Sequence, residues 1–187
     1  GINSDLHIMF PMISSIDEFI EARQVVMDCS EDMRKEHIKH NTAPKIGIMV
    51  ELPSVVCLME SFAKEADFFS IGTNDFIQFM LGVDRTNENV ESFYLPHHPS
   101  VLKGIEQVVR IANEHRKPVS VCGDIAHDEN FIPFLVGIGV RTLSVEPSYM
   151  PRIQKTISGI DVGLAKVHAA ELLEKTTVRE TAELLKL

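Results

Sequence analysis

Phe68-Phe69-Ser70-Ile71-Gly72-Thr73-Asn74-Asp75 is an apolar run that stops at a glycine and passes into three small polar residues. Phe68 to Ile71 is too short for a helix and is bounded by breakers, so it reads as a buried strand with a polar cluster just past its carboxyl end. Folds of the α/β class place their chemistry there. Asp75 offers hard oxygen ligands, Asn74 a neutral amide, and Gly72 lets the backbone come close to a bound group. The competing reading is a strand-to-helix turn in which Asn74 or Asp75 caps the next helix.

Two further stretches repeat the event. Lys45-Ile46-Gly47-Ile48-Met49-Val50 ends at Glu51 before Leu52-Pro53, and Pro118-Val119-Ser120-Val121 ends at Cys122-Gly123-Asp124. Three buried strands thus deliver an acid or a thiol at the same relative position. If they are parallel neighbours, Glu51, Asp75 and Cys122 converge on one face.

Length and composition bound the rest. With 187 residues and 44% apolar content, the chain can bury one sizeable core, as one large domain or part of one. A formal charge of −9 argues against nucleic acid or an anionic membrane surface as the main partner. No apolar stretch approaches the roughly 18 residues of a membrane span, so no membrane insertion is expected. Gly1-Ile2-Asn3-Ser4-Asp5 lacks a basic, apolar targeting pattern. Cys29, Cys57 and Cys122 are too few and too scattered for a disulfide framework, which points to a reducing, cytoplasmic setting.

Along the chain, Leu6 to Met12 reads as a strand, and Ser14-Ser15 followed by Asp17 and Glu18 supplies a capping-box start for a helix. Phe19, Ile20, Val26 and Met27 form its apolar stripe, and Glu31 to His40 reads as a solvated charged tail. His7, on an apolar strand, reads as a satisfied core histidine. Pro53 and Ser54 open a helix through Val56, Met59, Phe62 and Ala63. A right-handed crossover then sets the strands at 45–51 and 68–71 parallel and adjacent.

From Asp75 a helix runs to Gly82, and Arg85 follows in a polar loop. Arg85 either reaches back over the strand ends to grip a carboxylate or phosphate, or stays solvated beside Asp84. His97-His98 reads as loop packing, because adjacent histidines diverge and no third ligand is near. Pro99-Ser100 opens a helix over Val101 to Ile111, and after Cys122 a further helix is expected from about Glu129. Thr142 to Val145 is the last strand, a helix starts at Pro151, and Val162 to Leu187 forms two amphipathic helices that cover the sheet. Five strand-helix units result. They suit an open doubly wound sheet, or part of an eight-unit barrel, for which roughly 200 residues or more are needed.

Four motifs carry a resemblance. Gly47 to Pro53, Phe69 to Asp75 with Val83-Asp84-Arg85, Cys122 to Asp128, and Pro151-Arg152-Ile153 are together similar to the phosphoenolpyruvate-utilising enzymes. The likeness is to the carboxyl-terminal domain of the Enzyme I type, the phosphotransferases of the bacterial sugar phosphotransferase system. It implies a partial (β/α)8 TIM-type barrel, strands four to eight, that binds phosphoenolpyruvate (PEP) at the carboxyl ends of its strands with Mg2+. Carried over by position, it implies that Glu51 and Asp75 are metal ligands, Asn74 and Arg85 bind the substrate phosphate, and Cys122 is the catalytic acid. It further implies pyruvate as product, transfer to a protein histidine on a separate amino-terminal domain, a histidine-containing phosphocarrier protein as next acceptor, and a homodimer.

The residue types suit that chemistry. Phosphoryl transfer asks for positioning and neutralised charge, which two carboxylates on Mg2+ and an arginine supply. A pyruvate enolate needs a proton at carbon, which a protonated thiol can give. Two residues depart from the family pattern, Asp124 in place of glutamate and His127 in place of glycine, both in the thiol's loop. The likeness also implies three earlier strand-helix units, so the chain reads as a piece that is inactive alone. Two other functions fit the residues: a metal-dependent pyruvate-enolate lyase or aldolase, which needs no Cys122, and a non-catalytic PEP-sensing or assembly module.

Overall fold

The structure, a computed structural model, describes residues 5–187. The first strand, β1, is His7–Phe10, and α1 is Ile16–Lys35. Ser15 accepts the amide of Glu18 on its hydroxyl, and the Glu18 carboxylate accepts from the amide and hydroxyl of Ser14. The expected cap is therefore present, shared between two serines. The helix ends in Arg34 and Lys35, paired with Glu31 and Asp32 at 2.7 and 3.0 Å.

Strand β2 is Lys45–Val50, followed by α2, Pro53–Cys57, and α3, Met59–Glu65. One helix was expected over this segment; Leu58 breaks it in two, with φ −107° and ψ 13°. Strand β3 is Phe69–Gly72 and α4 is Thr73–Leu81, which stops at Gly82 in the left-handed region. A loop with one 3-10 turn, Glu91–Phe93, leads to α5, Pro99–Glu114. His98 starts α5 by accepting the Ser100 amide on Nδ1 at 3.2 Å, so this histidine serves the loop and the cap. Strand β4 is Val119–Cys122, a 3-10 turn covers Asp124–His127, and α6 is Ile132–Ile138. This helix begins three residues later than expected, because that 3-10 turn and a further turn over 129–131 occupy the chain before it. Strand β5 keeps only Thr142–Leu143; α7 is Met150–Ser158, α8 Val162–Glu174 and α9 Val178–Leu185.

The five strands form one sheet in the order β1-β2-β3-β4-β5, every pair parallel. A doubly wound sheet reverses its strand order at a switch point. Here each strand is added beside the previous one on the same side, the winding of a TIM-type barrel. The arc is not closed among the described residues: the outer sides of β1 and β5 carry no strand.

Alternation assigns the two faces. Ile46, Ile48, Val50, Phe69, Ile71 and Val121 point to the helices and are buried. The opposite, inner face carries Met49, Ser70, Ser120 and Cys122. His7 belongs to that inner face at the open edge, and it is not a core residue: its side chain is 50% exposed, 3.4 Å from Asp5 and stacked on Phe68 at 5.0 Å. Of the terminal helices, α8 has its main contacts with α6 and then α5, so it covers the sheet through those helices. Gly137 makes the approach possible, since a Cβ there would meet Ala165 O within 2.2 Å. No helix among the described residues is long and apolar enough to cross a membrane.

Candidate active site at the carboxyl ends of the strands

Register places Glu51 one step beyond Val50, level with Gly72 on β3 and Cys122 on β4. Gly72 is the gap in that row. A Cβ there would come within 2.9 Å of Glu51 Cγ and of Met49 Sδ, so glycine lets the glutamate lie across β3. Glu51 is only 5% exposed, and its Oε2 accepts the Met12 amide at 2.8 Å. Burial raises its carboxyl above the usual range; the Met12 bond works against this, and the nearby Asp75 carboxylate adds to it. Two carboxylates facing each other in a sheltered place gain from a cation between them.

Asp75 and Asn74 lie in the first turn of α4, but neither caps it. Gly72 is the N-cap residue and no side chain caps the helix. Both side chains are therefore left for other work, and the capping alternative falls away. Asn74 Oδ1 accepts the Asp124 amide at 2.8 Å, and Thr73 Oγ1 donates to Cys122 O at 2.7 Å. These two bonds tie the start of α4 to the loop after the thiol. Gly123 is needed for the fit, with φ of +85° and Thr73 Oγ1 2.4 Å from where a Cβ would stand.

Arg85 turns back to the site and not to its neighbour. Its Nη2 lies 3.7 Å from Asp75 Oδ1, while Asp84 accepts from the amide and hydroxyl of Thr86. Both partners of the Arg85–Asp75 pair are over a third exposed, so the contact orients Arg85 more than it stabilises the fold. Cys122 is half-buried; its Sγ donates to Ile71 O at 3.4 Å and accepts from Ser70 Oγ at 3.7 Å. Burial raises the thiol above its ordinary value, the Ser70 bond lowers it, and the charges of Glu51 and Asp75 raise it again. The thiol stays protonated at neutral pH.

The structure thus gathers all five candidates, Glu51, Asn74, Asp75, Arg85 and Cys122, at one end of the sheet. It adds Tyr94, which the sequence did not single out. The phenol donates to Asn74 O at 3.2 Å, and burial, then the charge of Asp124, push it up to about 12. A tyrosine in an irregular loop carries no local signal of this placement. His127 is engaged with the start of α7: its ring stacks on Tyr149 at 4.2 Å, and Arg152 donates to its carbonyl at 3.1 Å. Asp124 takes part through its backbone, so the shortened side chain leaves that bond intact.

Glu51 and Asp75, whose carboxylates interact, are placed so that they could hold a metal between them. No group of three or more histidine, cysteine, aspartate or glutamate residues suited to a metal occurs among the described residues. Two carboxylates with water and substrate oxygens filling the other positions is the way Mg2+ is commonly bound, so the donor set fits that ion.

A family profile described as PEP-utilising enzyme, PEP-binding domain, matches residues 2–162. The chain belongs to the PEP-utilising enzymes. Among curated relatives of this PEP-binding domain, phosphoenolpyruvate-protein phosphotransferase of Mycoplasma capricolum is 41% identical over 180 residues, 96% of this chain and 31% of the relative. The protein of the same name from Listeria monocytogenes is 35% identical over 185 residues, and that from Staphylococcus aureus 37% identical over 185. Each alignment covers 99% of this chain and 32% of the relative. The PEP-binding domain described here therefore spans about a third of the length of the relatives it matches.

Proposed function

We propose that this chain is the PEP-binding half-barrel of a phosphoenolpyruvate-protein phosphotransferase, which moves the phosphoryl group of PEP to a protein histidine and releases pyruvate. The observation that carries the reading is the meeting of a buried Glu51, Asp75 and Cys122 at one end of the sheet. Glu51 and Asp75 would hold Mg2+, which would supply positive charge against the negative charge of the substrate. Asn74 spends its carbonyl oxygen on Asp124, which aims its amide hydrogens the other way, toward a phosphate. Arg85 offers its fork to the same phosphate. Cys122 gives its proton to the enolate carbon.

The remaining parts of the proposal concern the whole protein. Three more strand-helix units close the barrel, an amino-terminal domain carries the acceptor histidine, and a histidine-containing phosphocarrier protein takes the phosphoryl group onward in sugar transport. The protein acts in the cytoplasm as a homodimer. The name shared by the relatives, phosphoenolpyruvate-protein phosphotransferase, favours this reading over a pyruvate-enolate lyase.

Calorimetric titration of this chain with PEP and Mg2+ tests the reading. Weak binding that needs the metal and is lost in Glu51→Gln and Asp75→Asn is expected. Binding that ignores both substitutions overturns the assignment of the site, and tight binding by the chain as a monomer overturns the need for further strands.

A further inference from the structure

The inner face below Cys122 holds a row of hydroxyls that the assignments above leave unused. Ser70 and Ser120 are register partners on β3 and β4, so their side chains leave one face side by side. Ser120 Oγ donates to Ser70 Oγ at 3.0 Å, closer than its other acceptor, Phe69 O, at 3.4 Å. Ser70 Oγ donates to Cys122 Sγ at 3.7 Å, and Sγ–H points to Ile71 O at 3.4 Å. Each hydroxyl has a single proton, so these bonds run one way, from Ser120 to Ser70 to sulfur to the backbone. Gly72, level with Cys122, has no side chain, which leaves the diagonal Ser70 as the hydrogen-bonding side chain on β3 within reach of sulfur. Ser70 is 5% exposed, so water competes little for its proton. The helix-facing positions of the same two strands, Phe69, Ile71, Val119 and Val121, are wholly apolar, which sets the serine pair apart.

We propose that Ser70 and Ser120 are positioning residues for the thiol: a directional hydroxyl chain that fixes where the S–H points and supports sulfur once its proton has left. The inference rests on the reading of Cys122 as the acid. In that step the S–H bond breaks, a C–H bond forms on the enolate carbon, and the electron pair stays on sulfur. The Ser70 hydroxyl is already aimed at that atom, and its bond strengthens as the acceptor becomes charged. No other reactant is consumed.

The S–H stretching band tests this without substrate or metal. In a Cys29→Ser, Cys57→Ser background only Cys122 contributes to it. Chained hydrogen bonds polarise one another, so removing the Ser70 donor weakens the S–H bond to Ile71 O and moves the band to higher frequency. Ser70→Ala is expected to give that shift and Ser70→Thr to restore the original position. Ser120→Ala is expected to give a smaller shift, and no shift once Ser70 is alanine. An unmoved band in Ser70→Ala overturns the proposal, as does a Ser120→Ala shift that persists in the Ser70→Ala background. Circular dichroism checks that each variant is folded, and Ser120→Ala keeps the test open if Ser70→Ala is not. A chain that fails to bind PEP leaves the band shifts as they are, so loss of the proposed function and loss of the hydroxyl chain are told apart.

Discussion

At the scale of single residues, the site stores unfavourable electrostatics that a cation would relieve. Glu51 has a carboxyl raised by burial, so folding favours its protonated form. Its contribution to metal-free stability is complete below the ordinary carboxyl value and is lost as pH rises through the raised one. Thermal unfolding without metal is expected to fall across that window, and in Glu51→Gln to be flat there. The same substitution removes a repelling charge while keeping an acceptor for Met12, and is expected to stabilise the metal-free chain by about 1 kcal/mol. Added Mg2+ is then expected to raise the melting temperature of the parent chain and not of the variant. Cys122, held protonated, is expected to react with iodoacetamide at neutral pH more slowly than the exposed Cys29 and Cys57, which peptide mass mapping reads directly. Glu51, Asp75 and Cys122 are legible in the sequence because each stands just beyond an apolar run bounded by breakers. His7 is misread for the matching reason: alternation identifies a face, and it does not say whether that face is covered.

At the scale of elements, the joints between strands and helices do the positioning. Gly123 lets β4 turn under Thr73 and Asn74, and Gly123→Ala strains a left-handed backbone while pressing a methyl on Thr73 Oγ1. A loss of about 1–3 kcal/mol is expected in denaturant unfolding. The excursion from Gly82 to His98 brings Arg85 over the site, and Tyr94 fastens it to Asn74 O. Tyr94→Phe removes one bond, worth about 1 kcal/mol, and is expected to quicken proteolysis between residues 83 and 98 with little change elsewhere. Helix starts at proline or at a serine cap are readable from the chain, as Pro99 and Ser15 illustrate. The start of α6 obeys the same rule, since Pro133 stands in its first turn, whereas no proline, glycine or capping side chain marks the break at Leu58.

At the scale of the whole molecule, the strand count left a doubly wound sheet and a barrel arc equally open, since both are built from the same units. Strand order decides between them, and order is a long-range property that no local pattern carries. The arc has a groove of 480 Å³ between β1 and α1 and another of 410 Å³ beside β5 and α7, both lined mainly by apolar side chains. With the outer sides of both end strands unpaired among the described residues, sedimentation velocity is expected to show association that grows with concentration. A single monomer boundary at every concentration refutes this. One bond links that periphery to the centre. The amide that steadies Glu51 belongs to Met12, two residues past the last residue of the outermost strand, in a left-handed conformation with φ of 56°. Whatever settles or disturbs that rim is transmitted to a carboxylate oxygen, so the posture of Glu51 doubles as a gauge of whether the neighbouring wall is in place.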